Sequence, residues 1–222
     1  SQAQQWEWMK ERYPALYEKM KAKARAGQFA PAGGTWVEPD CNIPSGESLV
    51  RQILHGVNYW NSRFPDAAPQ RLLFLPDTFG FPASLPQIAV RAGLDTFITN
   101  KLCWNQQNEF PHVSFLWRGI DGTEIVAHQT PGRDYNSLNT PREQLRGAQI
   151  AARLDRSGAG VWLQPFGHGD GGGGPTDTSI LFARLASECE PLARVTLSDS
   201  GAFCDALHEH FRERQPDLPV WD

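Results

Sequence analysis

The chain has 222 residues, 40% of them hydrophobic and 21% charged, with a formal net charge of −4. That length supports one sizeable core and falls short of two full domains. Lys and Arg are scattered without a basic block, and no apolar run approaches the ~18 residues of a membrane span, so neither a nucleic-acid surface nor a membrane helix is expected. Cys41, Cys103, Cys189 and Cys204 are widely spaced and form no CxxC pair, as for reduced thiols in a cytosolic protein. The chain opens in a helical pattern with neither a start Met nor a leader, which leaves room for residues upstream.

Trp6, Met9, Tyr13, Leu16, Tyr17 and Met20 recur with helical spacing over 4–26, and Pro14 marks a kink or a break into two helices. Gly33-Gly34 leads into a short predicted strand over 35–38, followed by a loop over 39–44. Ser45-x-x-Ser48 then opens a helix over 46–64. Leu72 to Leu75 reads as a buried strand. Asp77 follows it, then a Gly/Pro turn, then a helical pattern over 83–92. The next strands fall at 95–99, 113–117 and 123–128, the last two joined across an Asp121-Gly122 hairpin signal. A helix over 141–156, a strand over 160–166 and the phrase Gly167 to Gly174 come next. A helix over 176–188, a strand over 194–197 and a helix over 198–212 capped by Ser198 or Asp199 complete the chain. Alternating strands and helices predict an α/β fold with a mostly parallel sheet.

Asp77 is the most informative residue. A carboxylate at the carboxyl end of a buried strand lies where α/β enzymes build their sites. It is read as catalytic or metal-binding, against the plainer alternative of an N-cap for the next helix. Gly167, Gly169 and Gly172 formally satisfy GxGxxG, but four successive glycines exceed what a phosphate turn needs, and no acidic residue lies at the expected ribose position. The better reading is a loop whose backbone approaches a ligand while His168 and Asp170 project into the cleft. Asp77 and Asp170, each just past a predicted strand, then form the carboxylate pair that glycoside hydrolysis requires. Trp36, Glu38, Asp40 and Asn42 would follow the first strand on the same rim, Lys101, Trp104, Asn105 and Asn108 a later one, and Tyr135 and Asn136 the strand ending at His128. These are stacking and hydroxyl-binding side chains, although each singly is as well explained by packing. The histidines offer no HExxH. His208-x-His210 is read as surface, and His55 as packing within its helix.

The phrases Gly34-Thr35-Trp36-Val37-Glu38-Pro39-Asp40-Cys41-Asn42, Leu75-Pro76-Asp77-Thr78-Phe79-Gly80, Lys101-Leu102-Cys103-Trp104-Asn105 and Gly167-His168-Gly169-Asp170 occur in one order along the chain. Together they resemble the catalytic domain of glycoside hydrolase family 38, nearest to its cytosolic-type and bacterial α-mannosidases. The resemblance implies part of a seven-stranded β/α barrel, retaining hydrolysis of α-mannosides and one bound Zn²⁺ or similar divalent ion such as Co²⁺. It makes Asp77 both nucleophile and metal ligand, and Asp170 the general acid/base. It assigns substrate binding to Trp36, Asp40, Phe79, Lys101, Tyr135 and His168.

In the family, a His-x-Asp metal pair precedes the region matched here, and a further metal-binding histidine follows it. Residues 1–222 are therefore expected to be an incomplete N-terminal catalytic domain, inactive alone. The implied partner is a mannose-containing oligosaccharide, the implied location is cytoplasmic, and a homo-oligomer of the full-length enzyme is allowed. The competing readings are an NAD-dependent oxidoreductase using the Gly167–Gly172 loop and a noncatalytic carbohydrate-binding domain. A polysaccharide deacetylase would want a paired Asp and a His-rich motif that this sequence does not show.

Overall fold

Pro14 stands at the first position of a helix, where its missing N–H leaves no hydrogen bond unmade, and it splits the amphipathic N-terminal pattern in two. In the computed structural model, which describes residues 2–67, 69–170, 172–189, 193–214 and 217–222, helix α1 spans Ala3–Arg12 and α2 spans Pro14–Arg25. Helix α3 (Gly46–Arg63) starts at Ser45, whose hydroxyl accepts the Ser48 N–H as expected of an N-cap. Strand β1 (Leu72–Leu75), α4 (Leu85–Arg91), β2 (Thr96–Thr99), a 3₁₀ turn (Lys101–Trp104), β3 (Ser114–Arg118) and β4 (Glu124–Gln129) follow. The chain continues with α5 (Pro141–Leu154), α6 (Asp177–Ala186), α7 (Ser200–Arg214) and β5 (Val220–Trp221).

The five strands form one mixed, mostly parallel sheet in the order β1-β2-β4-β3-β5. β4 runs with β2, because Val126 N–H bonds to Asp95 C=O and Thr130 N–H to Thr99 C=O, four residues further along each strand. The hairpin between β3 and β4 closes through Gly119 N–H to Thr123 C=O, so those two are antiparallel. β5, not foreseen from the sequence, adds parallel to β3 with Leu116 opposite Val220.

The chain divides into two compact units, residues 1–98, 116–127 and 220–222, and residues 99–115 and 128–219. The first holds most of the sheet and an aromatic cluster. Trp6 meets Phe64 and Trp60 edge-on at ring distances of 5.1 and 5.5 Å, and Tyr17 and Tyr59 close the same group. Buried rings of this size dominate core energetics, and edge-to-face pairs add to simple burial. The second unit buries one face of α7 (Phe203, Cys204, Leu207, Phe211) together with Leu154, Ala183 and Ala186. Thr140 and Thr176 open α5 and α6 with reciprocal capping boxes.

Three predicted strands are corrected. Over 35–38 the backbone bends instead of pairing: Trp36 N–H bonds to Gln52 C=O in α3, its C=O accepts from Gln4 in α1, and Val37 N–H bonds to the Gln52 side chain. Two helices thus satisfy the groups a sheet neighbour would have taken. Over 160–166, Gly160 enters at φ +66° and Leu163 N–H donates to a histidine ring, leaving one bridge, Ser137 to Phe166. The third, 194–197, lies in no ladder among the described residues.

Candidate active site

In the first unit, β1 delivers Asp77 past its carboxyl end, and the segment Glu38–Asn42 docks on the turn that follows. Asp77 N–H donates to Glu38 Oε1 at 2.7 Å. Thr78 Oγ1 donates to Pro39 C=O at 3.0 Å, with Glu38 Oε1 at 3.4 Å. Asn42 Nδ2 donates to Phe79 C=O at 2.5 Å, and Asp40 Oδ1 accepts the N–H groups of Asn42 and Ile43. Gly80 sits at φ +112°, and a Cβ there would lie 2.7 Å from Asn42 Nδ2, so glycine is needed on both counts. Helix α4 begins at Leu85 after Ser84, so Asp77 is not its N-cap. Phe79 is 64% exposed. Trp36 is half-buried, its indole N–H bonded to Gln4 and its ring against Tyr59.

In the second unit, the Lys101 ammonium lies 3.5 Å from the Trp104 ring centroid and 5.4 Å from that of Tyr135. Tyr135 O–H donates to Asp170 Oδ1 at 3.3 Å. The glycine loop folds back on itself through reciprocal bonds between His168 and Gly173, and Gly172 N–H returns to Gly169 C=O. Gly167 N–H bonds to Ser137 C=O, and Gly169 N–H to the Asn136 side-chain oxygen. This closed loop does not follow a ladder strand, so it lacks the strand–turn–helix setting of a dinucleotide site. His168 and Asp170 are both exposed.

The structure therefore brings Lys101, Tyr135, Asp170 and the loop of His168 into one network, and Asp40, Phe79 and Asp77 into another. The titratable neighbours sort by environment. Burial pushes the Glu38 carboxyl up; the Asp77 N–H lowers it, the Asp77 charge raises it, and the Thr78 hydroxyl lowers it again. Burial first, and then Asp40 and Glu38, lift the Cys41 thiol to about 12, which favours the protonated form. Glu109 is held down to about 2, chiefly by the hydrogen bond from Arg153 and also by that from Arg133, and it fastens the loop before β3. All four cysteines are free.

The whole chain, residues 1–222, matches the family described as "Glycosyl hydrolases family 38 N-terminal domain". The chain belongs to this family. It is 44% identical over 93% of its length to human "Alpha-mannosidase 2C1" and 42% identical over 95% to "Alpha-mannosidase G" of Dictyostelium discoideum. It is also 43% identical over 100% of its length to an "Alpha-mannosidase" of Saccharomyces cerevisiae. The chain spans only about a fifth of the length of these relatives (19%, 20% and 21%). Its fold is similar to that of a solved α-mannosidase from Enterococcus faecalis, with a TM-score of 0.72 and 21% identity, covering 95% of this chain and 24% of that one.

Among the described residues of this family 38 domain, no group of three or more His, Cys, Asp or Glu could hold a metal ion. Zinc sites use three or four protein ligands, so these residues do not fit a zinc site by themselves, and Asp77 offers one carboxylate. His128 is fully buried between Ser114 and Leu163, while His55, read as packing, is exposed on α3. His210, read as surface, bonds to Ser157 C=O. Glu38 and Asn136 stand in the sequence only among the rim side chains, and the bonds they accept from Asp77 N–H and Gly169 N–H are not signalled there. The one local signal at Glu38 is an acid between an apolar pair and a proline.

Proposed function

We propose that the intact protein hydrolyses terminal α-D-mannosides of oligosaccharides with retention of configuration, through a covalent mannosyl-enzyme on Asp77. Family 38 membership, with Asp77 at the carboxyl end of β1, is the observation that supports this. The Asp77 carboxylate attacks the anomeric carbon as the glycosidic C–O bond breaks, and Asp170 gives its proton to the departing oxygen. Water then attacks the same carbon and yields a proton to Asp170, and the ester bond to Asp77 breaks. Trp36, Asp40, Phe79, Lys101, Tyr135 and His168 are assigned to sugar binding. Lys101 and Tyr135 sit in the network of Asp170, and Phe79 has a 64% exposed ring.

In this reading the sheet is part of a seven-stranded β/α barrel, and the intact enzyme acts in the cytoplasm. No described helix is long and apolar enough to cross a membrane. One Zn²⁺ or Co²⁺ would be held with Asp77 as one ligand, the others being supplied by the rest of the intact protein. Residues 1–222 alone are then inactive and free of stoichiometric zinc.

The test is hydrolysis of an aryl α-mannoside by the intact protein, followed by NMR. The α anomer should appear first. First release of the β anomer, or no turnover with saturable NAD binding, would overturn the reading. Elemental analysis of isolated residues 1–222 tests the metal claim, and stoichiometric zinc there would sink it.

A further inference from the structure

We propose that Glu38 is the positioning residue for Asp77. The proposal rests on the reading of Asp77 as nucleophile. Its basis is the hydrogen bond from Asp77 N–H to Glu38 Oε1 at 2.7 Å, between residues 39 apart in sequence. The same oxygen lies 3.4 Å from Thr78 Oγ1. The Thr78 proton goes to Pro39 C=O at 3.0 Å, so the firm bond of that carboxylate oxygen is the one from the residue that carries the reacting group.

Further along, the turn is held by Thr78 Oγ1 to Pro39 C=O and by Asn42 Nδ2 to Phe79 C=O. Asp77 lies beyond the last residue of β1, where the ladder no longer fixes φ and ψ. Pro76 precedes it and has no N–H to give. The Asp77 N–H is thus the first backbone donor after the strand, and Glu38 is the acceptor it meets. Glu38 is itself held by its neighbours: Val37 N–H is bonded to Gln52 in α3, and Pro39 C=O accepts the Thr78 hydroxyl. The restraint runs from α3 through Val37 and Glu38 to Asp77.

Packing alone does not account for an acid here. A neutral amide could accept the Asp77 N–H with the same shape. A carboxylate makes that bond charge-assisted, hence shorter and stiffer, in keeping with its 2.7 Å length. Stiffness matters for a nucleophile, because an ångström of misplacement costs about 100-fold in rate.

The experiment uses the intact protein and a ring-fluorinated mannosyl fluoride. Fluoride departs without protonation, so the rate of adduct formation reports the alignment of Asp77 and not that of an acid. Adducts are located by peptide mass spectrometry. Wild type should label on Asp77, and Asp77→Asn should not. If wild type does not label on Asp77, the nucleophile reading fails, and this proposal falls with it. Given labelling, Glu38→Ala should slow the saturating labelling rate about 10- to 100-fold with half-saturation changed less than about threefold. Glu38→Gln, which keeps the acceptor, should recover to within about fivefold. Glu38→Ala labelling at the wild-type rate would overturn the proposal, whatever its melting temperature. Should Glu38→Ala not melt cooperatively, Glu38→Met, which fills the space without a strong acceptor, takes its place. Loss of cooperative melting in both would make Glu38 purely structural and also overturn the proposal.

Discussion

Asp77 and Asp170 are held in opposite ways. Asp77 follows a ladder strand, and its own N–H is bonded to a half-buried acid. Asp170 is exposed on a loop of glycines, with one 3.3 Å bond from Tyr135 and a loop backbone held by the Asn136 side chain. The first arrangement fixes the backbone beneath the carboxylate. The second fixes the loop around it and leaves the carboxylate some freedom. A nucleophile must meet one carbon along one line. An acid/base must reach an oxygen and later a water, and tolerates more latitude.

The largest expected effect follows from the stiffer side. Asp77→Asn should lower turnover of the intact protein by roughly 10⁴-fold or more, the scale of losing an activated nucleophile, because an amide does not form the glycosyl ester. Steady-state rates on an aryl α-mannoside measure this, and near-wild-type kcat would break the assignment. Asp170→Ala should cost about 10²- to 10⁴-fold on substrates with poor leaving groups and less on activated aryl mannosides. Added azide should restore part of the second step. Equal losses on every substrate without azide rescue would make Asp170 a sugar-binding or structural residue, and the contrast between the two acids would collapse.

Much of this frame was legible in the sequence, and the failures have one cause. β1 and the split of the first helix at Pro14 were read correctly, because apolar runs and prolines act locally. The strands expected over 35–38 and 160–166 failed because a strand needs a neighbour, and nothing in Thr35-Trp36-Val37 announces that Gln52 and Gln4 will take its hydrogen bonds. The position of Asp77 just past β1 was legible from the apolar run before it. Glu38 as its partner was not, since a contact spanning 39 residues leaves no trace in spacing.

The two regions should also respond to acid with opposite signs. In the second unit, His128 is fully buried; its Nε2 accepts Leu163 N–H, so Nδ1 donates to Ser114. Burial depresses its pKa from 6.5 to about 3. The unfolded chain binds this proton more readily, so stability is full above pH 6.5 and falls as pH drops toward 3, by about 1.4 kcal/mol per pH unit in the steep part of the window. Glu38 in the first unit has a raised pKa, so its unfavourable burial grows as pH rises through that value and is relieved by acid. Hydrogen-exchange protection, corrected for intrinsic rates, should therefore fall at Leu163 and at His128 and Gln129, the end of β4, between pH 6.5 and 4 while amides around Asp77 hold. Uniform loss in both regions would show that neither group governs its surroundings. His128→Gln should flatten the slope in the second unit alone.

The smallest expected effect probes the looser side. A Cβ on Gly169 would overlap the Asn136 side-chain oxygen and lie 2.6 Å from the Tyr135 ring. Gly169→Ala must therefore push away the two residues that secure the Asp170 loop. Overpacking of this kind costs about 1–3 kcal/mol, toward the low end here because an exposed loop can shift. Displacing Tyr135 also removes the bond to Asp170, so kcat on poor leaving groups should fall about tenfold, with activated substrates nearly spared. Adding Asn136→Ala frees the space at the oxygen but also deletes the acceptor of Gly169 N–H. The double variant should then melt close to Gly169→Ala without regaining activity, because the clamp itself has gone. Recovery of activity in the double variant would show that only the clash mattered. In that case the loop would need no hold from Asn136, and the freedom of Asp170 would be greater still than its single bond to Tyr135 implies.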